Sequence, residues 1–146
     1  MIGFIEQSQN LSAARNSTRM ELYKRLSQAR SFIEENIDQP ITLSQVAGVA
    51  CLCTHHFLRL FKQVFEETPH QYLTRKRIER AKDLLLTTPT SVSDICQSVG
   101  FKSPGSFSWL FRRCVGYSPE GFRAINSQKQ SITTVSTVRS GKAIAL

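Results

Sequence analysis

An all-α fold of about seven helices is what the sequence predicts, on three observations: recurrent helix-start signatures, apolar residues at helical spacing, and an internal repeat of one two-helix pattern. The starts are legible because a Ser or Thr followed three residues later by Glu, Gln or Asp can satisfy the free amides of a first helical turn. Four such pairs occur: Thr18 with Glu21, Thr42 with Gln45, Thr68 with Gln71, and Ser91 with Asp94. Thr68-Pro69, Ser103-Pro104 and Ser118-Pro119 add proline at the first helical position, where its missing N–H costs nothing. No stretch alternates apolar and polar residues long enough to argue for a sheet.

The first helix is expected over 19–37, on the stripe Leu22, Leu26, Ala29, Ile33 and Ile37, and the second over 43–50. In the third, over 54–65, Phe57, Leu60, Phe61, Val64 and Phe65 form one stripe while His55, Leu58, Arg59 and Lys62 form the opposite one. One side belongs to a core and the other faces something outside the protein. A long helix follows over 69–86, then shorter ones over 92–99, 104–115 and 119–126. Residues 1–17 are polar and residues 127–146 rich in Ser and Thr, with no stripe, so both ends are expected to be mobile.

The repeat sets the organisation. Val46 matches Ile95, Ala47 matches Cys96 and Cys51 matches Gly100. After a one-residue insertion in the second copy, Phe57 matches Phe107, Phe61 matches Phe111, Lys62 matches Arg112 and Pro69 matches Pro119. Each copy reads as a short helix, a tight turn and a second helix with a polar or basic outer face, which is the helix-turn-helix pattern. The expected domains are therefore a mobile 1–17, a first subdomain 18–68, a linker helix 69–86, a second subdomain 87–126 and a mobile tail 127–146.

Charge narrows the function. The chain of 146 residues carries a net charge of +8 and has a pI near 9.7, a balance that favours polyanions, nucleic acid first and anionic membrane second. Residues 1–41 are neutral overall, and the excess lies in residues 42–126 and in the tail. No run of apolar residues is long enough for a membrane span, and the start MIGFIEQSQN lacks the apolar core of a signal peptide, so a cytoplasmic protein without membrane contact is expected. The length leaves no room for an effector pocket beside the helices.

Cys51, Cys53, Cys96 and Cys114 lack any export signal and are taken as reduced thiols, with Cys96 and Cys114 expected in the core. Cys51, Cys53, His55 and His56 carry zinc-type donors, but C-x-C leaves little room for tetrahedral geometry with histidines one turn away, and no metal is expected. A Cys53 nucleophile with His56 as base lacks any supporting phosphate loop or carboxylate pair, so neither an enzyme nor a cofactor is expected.

With these elements in place the chain resembles the AraC/XylS-type bacterial transcription regulators, whose DNA-binding module carries two tandem helix-turn-helix units. The matching motifs are TLSQVA, F-x-R-x-FK, TP-x-x-Y, the R-x-x-x-A of Arg77 and Ala81 with Leu84 to Leu86, and in the second unit SVSDI, VGF-x-S, SFSWLFR and G-x-SP-x-x-FR. They run from about Leu22 to Arg123. Four departures stand out: Glu66 where the first unit usually has glycine, Cys53 where a serine usually caps, Trp109 where the second recognition helix commonly has arginine, and Pro104-Gly105 where relatives often carry polar side chains. Glu66 must avoid a left-handed conformation or accept its cost, and Thr54 is left to cap one residue late.

The resemblance implies that His55, Leu58 and Arg59 read base edges in a major groove. Arginine forks onto guanine, histidine donates to a purine acceptor and leucine packs on a thymine methyl. By the same alignment Gly105, Ser108 and Trp109 face the groove in the second unit. Thr54, His56 and Lys62, with Ser103 and Arg112 as second-unit counterparts, are expected to position the helices on phosphates. The first unit is expected to carry most of the direct readout. A helix from Pro69 to Leu86 is about 27 Å long, comparable with the roughly 34 Å between successive grooves, so a monomer on an asymmetric site of two turns is expected. The resemblance further implies a nucleoid-associated bacterial activator that contacts RNA polymerase, either a stand-alone member or a fragment of a ligand-sensing one. A shortened relative that antagonises a full-length regulator is the alternative role.

Overall fold

The computed structural model describes the backbone of residues 2–144 and the side chains of residues 14–132. Over these it holds seven helices and no strand: α1 (Ile2–Glu35), α2 (Leu43–Val49), α3 (Thr54–Phe65), α4 (Pro69–Thr87), α5 (Val92–Ser98), α6 (Pro104–Val115) and α7 (Pro119–Ile144). They form two compact units, residues 1–75 and 76–146, with the division inside α4.

The first unit is built on Leu26, Ala29 and Ile33 of α1, Val46 and Ala47 of α2 with Ala50 just after it, Phe57 and Phe61 of α3, and Tyr72 and Leu73 from the start of α4. The second repeats the plan with Ile78, Ala81 and Leu85 of α4, Ile95 and Cys96 of α5 with Val99, and Phe107 and Phe111 of α6. Each buried phenylalanine pair is four residues apart on one helix face, its rings tilted at 5.4 Å in the first unit and 5.7 Å in the second. In the first unit Tyr72 extends the cluster by an edge contact on Phe61, and in the second Phe122 does so on Phe111. The long helix is thus not a free rod: its first half belongs to one core and its second half to the other.

The turn between the paired helices is duplicated in detail. In the first unit the Cys51 N–H donates to Gly48 O and the Leu52 N–H to Ala47 O. In the second, Gly100 donates to Gln97 O and Phe101 to Cys96 O, all at 3.0–3.1 Å. The corner residue is left-handed in both, Cys51 at φ 55 and Gly100 at φ 88. The equivalent helices α3 and α6 also end alike, on Glu66 at φ 62 and Gly116 at φ 91. Glu66 accepts the left-handed conformation, and glycine fills it only in the second unit.

Three of the four expected capping pairs form. Thr42 with Gln45 and Thr68 with Gln71 exchange reciprocal side-chain to backbone bonds, and Ser91 accepts from the Asp94 N–H while its hydroxyl donates to the Asp94 carboxylate. Thr18 does not start a helix. It lies inside α1 and its hydroxyl donates to Ala14 O, while Glu21 pairs with Arg25. The helix begins at Ile2 because nothing between residues 4 and 18 breaks it: no proline or glycine intervenes, and extending a formed helix costs far less than nucleating one. In the same way α7 runs past residue 126 to Ile144: no proline intervenes, and its glycine in that stretch, Gly141, comes only in the last turn. The mobility expected of 1–17 and 127–146 falls mostly on side chains outside the described residues. Thr54 is the first helical residue of α3 rather than its cap; Cys53 holds the cap position without a side-chain hydrogen bond.

Two further expectations fail. Val64 is exposed at 39 %, and its counterpart Cys114 is exposed as well, because a helix resting on one partner surface buries a stripe too narrow to include that position. Of the four thiols only Cys96 is buried, and burial raises its pKa.

Candidate nucleic-acid interface

The burial of Phe57 and Phe61 fixes which way α3 faces. On the opposite side His55, Arg59 and Lys62 are exposed, with Thr54 at the helix start. His56 and Leu58 are half-buried, and Leu58 borders a crevice lined by Ile33, Ile41, Val46 and Leu73. Burial of Phe107 and Phe111 does the same for α6, where Gly105, Trp109 and Arg112 are exposed, Ser108 is half-buried, and Ser103 caps the start by accepting from the Ser106 N–H. His55, Arg59 and Lys62 therefore share one exposed face of α3, and Gly105, Trp109 and Arg112 the equivalent face of α6, with Leu58 and Ser108 half-buried beside them. Trp109, 60 % exposed, is a surface side chain and not a core anchor; the Arg113 guanidinium lies 5.2 Å from its ring centre.

Charge follows the same faces. Lys62 lies in the last turn of α3, and Arg112 and Arg113 in that of α6, where cations also suit the helix dipole. The basic run of α4 is largely engaged within the protein: Arg75 bonds Glu67, Lys76 pairs with Glu79, Arg77 lies over Phe101 and Lys82 over Phe122. Among the described residues no group of three or more His, Cys, Asp or Glu side chains is placed to hold a metal ion, and no helix is long and apolar enough to cross a membrane.

Sequence reasoning missed two structural residues behind these faces. Arg123 donates from Nε to Leu85 O and from a terminal nitrogen to Thr88 O and Thr90 O, at 2.6–3.2 Å, gathering carbonyls freed where α4 ends. The Tyr72 hydroxyl donates to the Glu34 carboxylate, and burial together with that bond pushes the phenol well above its ordinary range. The FR of the last motif held the first signal, but neither partner lies near in sequence.

A family profile described as "Helix-turn-helix domain" matches residues 46–125. The chain is similar to the melibiose operon regulatory protein of Escherichia coli K12, 35 % identical over 105 residues, 72 % of this chain and 35 % of that one. It is similar also to the transcriptional activator RhaS of an Enterobacter species, 36 % identical over 99 residues, 68 % of this chain and 36 % of that one. It spans only about a third of the length of these curated relatives. Among solved structures it is similar to the DNA-binding domain of the global transcriptional factor AdpA in complex with a target DNA. That match has a TM-score of 0.70 and 27 % identity and covers 73 % of this chain and 96 % of that one. Two helix-turn-helix units with exposed second helices, matched over most of the chain, show that it belongs to the AraC/XylS-type transcription regulators and carries their DNA-binding domain.

Proposed function

We propose that the chain activates transcription by binding double-stranded DNA as a monomer, on an asymmetric site of about two helical turns, with α3 and α6 each in a major groove. The observation that carries this reading is that one chain holds two equivalent units whose exposed faces differ in chemistry: His55, Leu58 and Arg59 on one, Gly105, Ser108 and Trp109 on the other. Equivalent folds call for equivalent docking. Unlike faces call for unlike half-sites, so a palindrome is not expected. Arg59 supplies a guanine fork, His55 a donor for a purine and Leu58 an apolar edge. Thr54, His56 and Lys62 flank them toward phosphates, as do Ser103 and Arg112 in the second unit. The uncapped start of α3 leaves its first amides for a phosphate oxygen. Activation is supported by relatives such as RhaS that are named transcriptional activators; contact with RNA polymerase, within a bacterial cytoplasm, is part of the same proposal.

Selection of duplexes from a random pool, repeated with two variants, tests the assignment. Arg59→Ala is expected to cost about 1–3 kcal/mol on the preferred site and to relax preference at one base pair, whereas Lys62→Ala weakens all sequences alike and lowers the salt slope by about one. If both variants change affinity without touching base preference, the face is not a reader. A reporter driven by the selected site distinguishes activation, which raises output, from repression.

A further inference from the structure

Gly105 and Trp109 lie one turn apart on the exposed face of α6 and, with Ser106 and Leu110, line an open depression. Nothing in the fold asks for glycine at 105. Its φ is not positive, and an added Cβ meets only the Ser103 hydroxyl at 3.7 Å, ordinary contact. The equivalent position of the first unit carries the large side chain of His55. Glycine inside a helix is less stable than alanine, so an unneeded one is a cost that some other role must offset. The one thing the missing side chain provides is room beside the indole. Arg113 lies over the Trp109 ring, so the exposed ring is held from the side of the following turn.

Resting on the reading that α6 faces a major groove, the geometry points to the Gly105–Trp109 slot as a receptor for the 5-methyl group of thymine. The methyl is the only apolar projection that a base pair presents in that groove. A flat apolar ring beside a residue without a side chain gives it contact without leaving a hydrogen-bonding group unpaired. The second unit therefore discriminates by an apolar contact where the first uses arginine and histidine.

The test uses the full chain and the duplex it selects. Each thymine in the half-site of α6 is replaced in turn by uracil, which removes the methyl and nothing else. One replacement is expected to weaken binding about fourfold, the worth of one buried methyl. Trp109→Ala loses that sensitivity. Gly105→Ala raises the melting temperature by about 2–4 °C yet narrows the preference for thymine over uracil. Equal binding of thymine and uracil duplexes by the unaltered chain overturns the inference. Trp109 is the only tryptophan, so its emission reports separately whether α6 meets DNA. Emission unchanged on binding overturns the groove reading and the slot with it. A changed emission with equal thymine and uracil affinity overturns the slot alone.

Discussion

Glu66 and Gly116 end equivalent helices in the same left-handed conformation and donate the same closing bond, to Lys62 O at 2.9 Å and Arg112 O at 2.8 Å. Only glycine adopts it without a Cβ penalty, so Glu66→Gly is expected to stabilise the first unit by about 0.5–1 kcal/mol, read as a higher urea midpoint for its transition. Tyr72 makes a pH-dependent contribution. Its proton is held more tightly in the folded chain than at the ordinary value of 10.0. The folded state therefore binds more protons than the unfolded one at high pH. The contribution is intact below about pH 10 and is lost as pH rises above it. Tyr72→Phe is expected to flatten the alkaline limb of a stability profile while leaving its neutral region lower by the lost hydrogen bond. At this scale the sequence located the exposed face of α3 through Phe57 and Phe61, since it lies opposite their buried stripe. It misjudged Val64 and Cys114 because a periodicity shows the centre of a buried stripe better than its edge.

The elements from α2 to α6 were legible because each begins on a Ser, Thr or Cys cap position and, in two of the five, on proline, all local chemistry. The start of α1 and the end of α7 were not, because those segments lack an apolar stripe and any proline to mark where they stop, and Thr18-x-x-Glu21 reads the same inside a helix as at its beginning. How elements are fastened was less legible still. Arg123 of α7 holds three carbonyls at and beyond the end of α4, a contact between residues 33 to 38 apart. Arg123→Ala is expected to destabilise the second unit by about 1–3 kcal/mol, measured by thermal or urea unfolding, because partly buried carbonyls lose charge-assisted donors. Arg123→Lys should recover little, since one ammonium cannot span the fork's three acceptors.

For the whole molecule, the duplication matters more than any single residue. Two cores of the same plan share one helix, and each turns a basic second helix outward. The net charge of +8 favours binding to any duplex with a steep dependence on salt, and under the proposed function the unlike faces of α3 and α6 add a preferred site with a direction. The most direct measurement is a hydroxyl-radical footprint on the selected duplex combined with the mass of the complex in solution. One chain per duplex and protection over about two turns, roughly 20 base pairs, without dyad symmetry, is the result expected. Two chains on a symmetric site, or protection confined to a single turn, contradicts the account.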